Sequence, residues 1–128
     1  MYLATCTRPD IAAAVSSLAR FNGNPGMAHW EGVLHVLKYL KGTIEGGICY
    51  KKGGITEIWG FCDSSHLTCR DTGRSRGAYA FLKAGGAISW MSKLLPNATL
   101  SRCCESEYVA LSVAGQEASY LRHLQLEI

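Results

Sequence analysis

Gly77-Ala-Tyr-Ala-Phe-Leu-Lys-Ala-Gly-Gly-Ala-Ile-Ser-Trp-Met-Ser92 is the stretch from which the fold is read. Two short runs, Gly77 to Lys83 and Ala87 to Ser92, flank Gly85-Gly86, and runs of this kind joined by a glycine turn predict a β-hairpin. Just upstream, Glu57-Ile-Trp-Gly-Phe-Cys-Asp63 is apolar at positions of both parities, as expected of a central strand, and ends on a carboxylate. Downstream, Tyr108, Leu111, Ala114, Ala118, Leu121 and Leu124 keep to steps of three and four. That spacing predicts a helix from about Cys104 with those residues as its buried stripe. Strand, hairpin and helix together give an α+β (mixed α/β) layer, a sheet with one long helix on a face. The helical pattern still runs at Leu126, so the sheet is expected to be unfinished.

The first part of the chain has another period. Pro9 suits a first helical turn, where its missing N–H costs nothing, and Asp10 suits the positive end of a helix. Ile11, Val15 and Leu18 follow at helical spacing until Asn22-Gly-Asn-Pro-Gly26 stops the run. A second helix is predicted over about Ala28 to Leu40, with Trp30, Val33, Leu34, Leu37 and Leu40 on one face and Gly42 as its cap. Gly46-Gly47 and Gly53-Gly54 then bracket Ile48-Cys49-Tyr50, a short strand-like piece. The division falls near residue 53: a helical hairpin over 1–53 and the sheet-and-helix region over 54–128.

Composition narrows the class. Charged residues are 18% of 128 and apolar ones 48%, which excludes a disordered or acidic tail. No run reaches the roughly 18 consecutive apolar residues of a membrane span, and Met1 to Asp10 lacks the pattern of a secretory signal. An intracellular chain, cytoplasmic or nuclear, not secreted and without a membrane partner, is expected. A formal charge of +3 is too small to prove nucleic-acid binding; Arg70, Arg74 and Arg76 form the main cationic group. The six cysteines permit a disulfide framework, but a reducing compartment opposes it. Cys62, His66 and Cys69, with Cys103-Cys104, suggest zinc only weakly, because no second short ligand pair accompanies them.

Two carboxylates stand out. Asp63 at the end of a strand suits metal or proton chemistry, and equally suits capping the following turn; the local residues leave both open. Glu105 and Glu107 fall in the first turn of the last helix, where the dipole favours negative charge. Glu107 precedes Tyr108 of the stripe and is expected near the sheet, with Glu105 in solvent.

Four stretches in order carry a family resemblance. They are Tyr2-Leu-Ala-Thr-Cys-Thr-Arg-Pro-Asp-Ile11; His29-Trp-Glu31 with Leu37-Lys-Tyr-Leu-Lys-Gly-Thr43; Gly77 to Lys83 with Gly85 to Lys93; and Glu105-Ser-Glu-Tyr-Val-Ala-Leu-Ser112. Together they resemble the end of the reverse transcriptase and the start of the ribonuclease H region of copia-type retrotransposon Pol polyproteins. The resemblance implies a ribonuclease H fold that cuts the RNA strand of RNA–DNA hybrids with two Mg2+ ions held by acidic residues. It implies Asp63 and Glu107 as the metal-binding catalytic carboxylates. Partners would be the hybrid and the remainder of the reverse transcriptase, with no small-molecule substrate. Binding of nucleic acid would draw on Arg70, Arg74 and Arg76 at phosphates.

Departures qualify the match. Where the family has D-A-D-W-A, this chain has Asp63-Ser-Ser-His-Leu67, so the second Asp and the Trp are replaced. Leu100-Ser-Arg-Cys-Cys-Glu105 carries one residue more than the family's L-S-S-x-E, and Leu94-Leu95-Pro96 stands where a polar loop is usual. The family's next acidic residue, in C-D-N-x-x-A, is not among these residues. Two readings follow: a ribonuclease H segment inactive as the 128-residue chain, or a degenerate remnant that only folds or binds nucleic acid weakly.

Overall fold

Pro9 sits at the start of a 3-10 turn, Pro9–Ile11, where its fixed φ is an advantage. Around it, in a computed structural model that describes residues 1–65, 69, 71–96 and 103–127 (Cys103 by its backbone alone), three α-helices form: α1 Tyr2–Cys6, α2 Ala12–Ala19 and α3 Met27–Gly42. α1 lies ahead of the helix start read at Pro9, and its five residues are too few to show a periodic pattern in the sequence. α3 begins where Gly26 N–H donates to His29 Nδ1 at 2.9 Å, while the His29 ring stacks on Phe21 with centroids 3.9 Å apart. Gly32 allows α2 and α3 to approach; a Cβ there would lie 2.9 Å from Leu18 Cδ2.

Arg8 holds this unit together. The residue is 8% exposed, and its guanidinium pairs with Asp10 at 2.7 Å, donating also to Thr43 O at 3.0 Å and Thr43 Oγ1 at 2.6 Å. Tyr39 O–H donates to Asp10 Oδ2 at 2.9 Å. The Thr-Arg-Pro-Asp run therefore ties the start of the unit to the end of α3, and Asp10 serves as Arg8's partner. The hydrogen bond from Arg8, then that from Tyr39, holds the Asp10 carboxyl down, from 3.8 to about 2, against the opposing effect of burial. The same pairing raises the Arg8 guanidinium further. The expected apolar face of α3 is only partly covered: Trp30 and Leu37 remain more than half exposed. An open groove of about 420 Å³ is lined by Val15 and Leu18 of α2 and Val33, Val36 and Leu40 of α3.

The chain divides into a unit of Met1–Cys49 and another from Tyr50 onward. The second holds β1 Trp59–Ser65, β2 Arg76–Lys83, β3 Gly86–Leu94 and α4 Cys103–Glu127. The strands form an antiparallel sheet in the order β1-β2-β3, so the architecture is α+β. Residues 48–50 form no strand; instead Tyr50 O–H donates to Ala87 O and Lys51 N–H to Ala84 O, tethering the chain to the hairpin turn. That turn centres on Ala84 and Gly85, both at positive φ (53° and 85°), and Gly86 already belongs to β3. Two left-handed residues match the twist of the flanking strands, at a cost for alanine that glycine avoids.

Two readings of the sequence are corrected here. β1 is an edge strand among the described residues, and Trp59 and Phe61 are exposed on it. Its apolar residues of both parities arise because one face meets α4 and the other bears an aromatic pair. The buried stripe of α4 keeps Ala114, Ala118 and Leu121 of the six residues expected and departs from the expectation at the other three. Ser106, Ala110, Ala114 and Leu121 are buried, with Ala118 packed alongside, whereas Tyr108 is 74% exposed and Leu111 and Leu124 are exposed too. Small side chains win because they let the helix lie close to the sheet. Phe81 fills the resulting core against Ala114 and Leu121, with Ile58, Tyr79 and Ile88 around it.

Candidate functional site

Gly77 is buried in β2, opposite Ser64 of β1. A Cβ at Gly77 would stand 2.7 Å from Leu95 Cδ2 and 3.4 Å from Ala110 Cβ, so the glycine admits α4 to close range. Ser106, wholly buried near the start of α4, then receives a hydrogen bond from Ser64 Oγ at 3.0 Å. Asp63 precedes Ser64 and Glu107 follows Ser106, so this one bond draws the two acidic positions together. Both line an open cleft of about 400 Å³. Its walls are Cys62 and Ser64 on the strand, and Cys104, Tyr108 and Leu111 on the helix. Pleat alternation sends Cys62 and Ser64 toward α4, and Asp63 borders the cleft from the exposed edge of β1.

Both carboxylates are exposed. Glu105 is exposed as well but is not among the cleft's lining residues. Carboxylate oxygens suit a hard divalent cation, and Mg2+ takes few protein ligands while keeping waters and phosphate oxygens. The donor chemistry therefore fits Mg2+, with Asp63 and Glu107 as the residues that would hold it. Among the described residues, no group of three or more His, Cys, Asp or Glu is placed to share a metal. His66 and the side chain of Cys103, which the zinc reading requires, lie outside the described residues.

The three arginines fare differently. Arg70 lies outside the described residues. Arg76 is half-buried and donates to Ser92 O at 3.2 Å and Ser92 Oγ at 3.3 Å, so its guanidinium braces β2 on β3. Arg74 is exposed. A polar cluster joins β2, β3 and α4: Ser89 Oγ donates to Glu117 Oε1 at 2.6 Å, and burial, together with the Glu117 charge, raises the Tyr79 hydroxyl pKa. Sequence reading missed Ser64, Gly77 and Ser106. The available signal was the small-residue series Ser106, Ala110, Ala114 and Ala118 at steps of four, which marks close packing as clearly as large residues mark a stripe.

The chain is 42% identical over 129 residues to the retrovirus-related Pol polyprotein from transposon TNT 1-94 of Nicotiana tabacum, covering all of this chain and 10% of that protein. It is 32% identical over 122 residues to the Pol polyprotein from transposon RE2 of Arabidopsis thaliana, covering 95% of this chain and 8% of that protein. It is also 40% identical over 121 residues to a protein of Plasmopara viticola named secreted RxLR effector protein 161, covering 94% of this chain and 84% of that protein. No family model matches, and no solved structure does. The class is that of transposon-encoded proteins. Within it, the chain belongs to the copia-type, retrovirus-related Pol polyprotein family, and it spans about a tenth or less of the two Pol polyproteins compared.

Proposed function

We propose that the chain is the ribonuclease H region of a copia-type Pol polyprotein, joined to the end of the reverse transcriptase near residue 53. In this reading Asp63 and Glu107 hold divalent metal for cleavage of the RNA strand of an RNA–DNA hybrid. One observation carries it: Asp63 from β1 and Glu107 from α4 line the same cleft, and the residues next to them, Ser64 and Ser106, are hydrogen-bonded to each other. Bound Mg2+ would supply polarisation of the scissile phosphate and activation of water. The chain's own part is to present two hydrated carboxylates on rigid elements, with Tyr108 and Leu111 as an apolar wall beside them. Arg74 would meet a phosphate of the hybrid, weakening steeply with salt.

The 128-residue chain is inactive in this account. Two Mg2+ ions bring four positive charges into one site, and two carboxylates neutralise them poorly. A hybrid incubated with the chain and Mg2+ is expected to stay intact while being bound in a metal-strengthened way. Turnover that disappears in Asp63→Asn would overturn the inactivity, and binding indifferent to Mg2+ would overturn the site. The second reading, a remnant that only folds or binds nucleic acid weakly, is favoured by Ser65 standing where the family's second Asp is usual. It predicts that Asp63→Asn changes nothing. Intracellular residence belongs to the same proposal; recovery of the chain from culture medium in its host would contradict it.

A further inference from the structure

We propose that Ser64 and Ser106 are the positioning residues of the candidate metal cleft, the pair whose hydrogen bond sets the spacing of Asp63 from Glu107. The role rests on the ribonuclease H reading of that cleft and adds what holds its two halves in place. Ser106 is wholly buried and Ser64 half-buried, and Ser64 Oγ donates to Ser106 Oγ at 3.0 Å across 42 residues of sequence. Each serine adjoins one of the carboxylate residues along the backbone, Ser64 next to Asp63 and Ser106 next to Glu107. Packing alone does not call for the hydroxyls. Ser106 opens a series that continues as Ala110, Ala114 and Ala118 at steps of four on the core side of α4, and alanine would serve its place in that series equally well. A buried hydroxyl costs free energy unless it is bonded, so what the pair adds over two alanines is direction.

Direction matters most at this end of α4. From the sheet, Ser64 and its cross-strand partner Gly77 meet the helix, which presents Ser106 and Ala110 in return, while Leu95 covers Gly77 from just beyond β3. Groups this small allow close approach but interlock little. The large core contacts, Phe81 with Ala114 and Leu121, come about two to four turns further along the helix. A slide of α4 by one residue is about 1.5 Å and a turn by one residue about 100°. Either carries the two hydroxyls out of the range of about 2.5–3.0 Å that an O–H···O bond requires. Serine is short, with its oxygen one bond from Cβ, so the pair fixes the two backbones with almost no slack. The longer Glu107 side chain then adjusts only by rotamer, from a backbone already set.

The test is Mn2+ binding to the whole chain with an RNA–DNA hybrid, read by electron paramagnetic resonance at a temperature where circular dichroism shows every variant fully helical. Ser64→Ala and Ser106→Ala should each weaken Mn2+ binding by about tenfold and alter the zero-field splitting of the ion still bound. The double alanine variant should lose no more than either single one, because the bond is already gone. Ala114→Gly loosens α4 in the core away from the cleft; it should lower the unfolding midpoint and leave Mn2+ affinity within about twofold. If Ser106→Ala does not fold, Ser64→Ala at the half-buried end of the bond carries the test beside Ala114→Gly. Serine variants that bind Mn2+ as tightly as the parent, losses that simply add, or an Ala114→Gly loss as large as theirs would overturn the positioning role and leave the nuclease reading standing. Parent binding indifferent to both Asp63→Asn and Glu107→Gln would overturn the nuclease reading itself, and the positioning role with it.

Discussion

The two units of this chain are held by different kinds of interaction. The unit from Tyr50 onward closes around an apolar core, Phe81 against Ala114 and Leu121 under a layer of small helix residues. The Met1–Cys49 unit buries only Ala4 and Ile11 among its apolar side chains, leaves a groove of about 420 Å³ open, and depends on a polar latch from Arg8 to Asp10, Tyr39 and Thr43. Burial is non-directional and large in sum; a latch of charged hydrogen bonds is directional and sensitive to pH. The difference teaches that one unit is fixed by packing and the other by geometry at a few atoms. Substitutions can test that division.

Phe81→Ala should have the largest effect, about 3–5 kcal/mol for a truncated core aromatic. It should remove exchange protection from β2 and α4 while α3 stays protected; equal loss in both units would break the comparison. Next comes the latch under acid. Because the Asp10 carboxyl is held at about 2 rather than 3.8, the stabilisation it provides is fully present above about pH 4 and is lost as pH falls through 2. Asp10→Asn should abolish this acid step in the amide signals of the first unit and leave β1–β3 untouched. Tyr39→Phe removes one hydrogen bond at a half-exposed site and should cost about 0.5–1 kcal/mol, again confined to the first unit. Ala84→Asn, which suits the left-handed turn, should stabilise the second unit by up to about 1 kcal/mol in denaturant unfolding. Smallest of all on stability, Arg74→Ala should shift unfolding by less than about 0.5 kcal/mol, and lower the salt slope of hybrid binding by about 1.

Much of the fold was legible because period and turn chemistry were strong where elements are long. The hairpin from Gly77 to Ser92, the α3 helix and the long α4 helix all follow from spacing in the sequence. What was not legible depends on contacts between elements. Nothing in Trp59-Gly-Phe-Cys-Asp63 distinguishes a central strand from an edge strand with aromatics on its open face. The spacing of three and four placed Ala114, Ala118 and Leu121 of α4 on the core side but also put Tyr108, Leu111 and Leu124 there, whereas Gly77 and Ala110 set the approach distance and turn Ser106 inward. The role of Arg8 depends on Thr43, 35 residues away, which no local pattern encodes. For the site, the two carboxylates were legible from their strand-end and helix-start positions, with the family resemblance. The Ser64–Ser106 bond between them was not.

The central claim is that Asp63 and Glu107 act together at one divalent-metal site. Its most direct measurement is Mn2+ binding to the whole chain by electron paramagnetic resonance, with and without an RNA–DNA hybrid, in the parent, Asp63→Asn, Glu107→Gln and the double variant. The account predicts that either single substitution removes the hybrid-enhanced binding and that the double variant loses no more than each single one. Binding that survives both substitutions, or losses that simply add, would contradict a shared site.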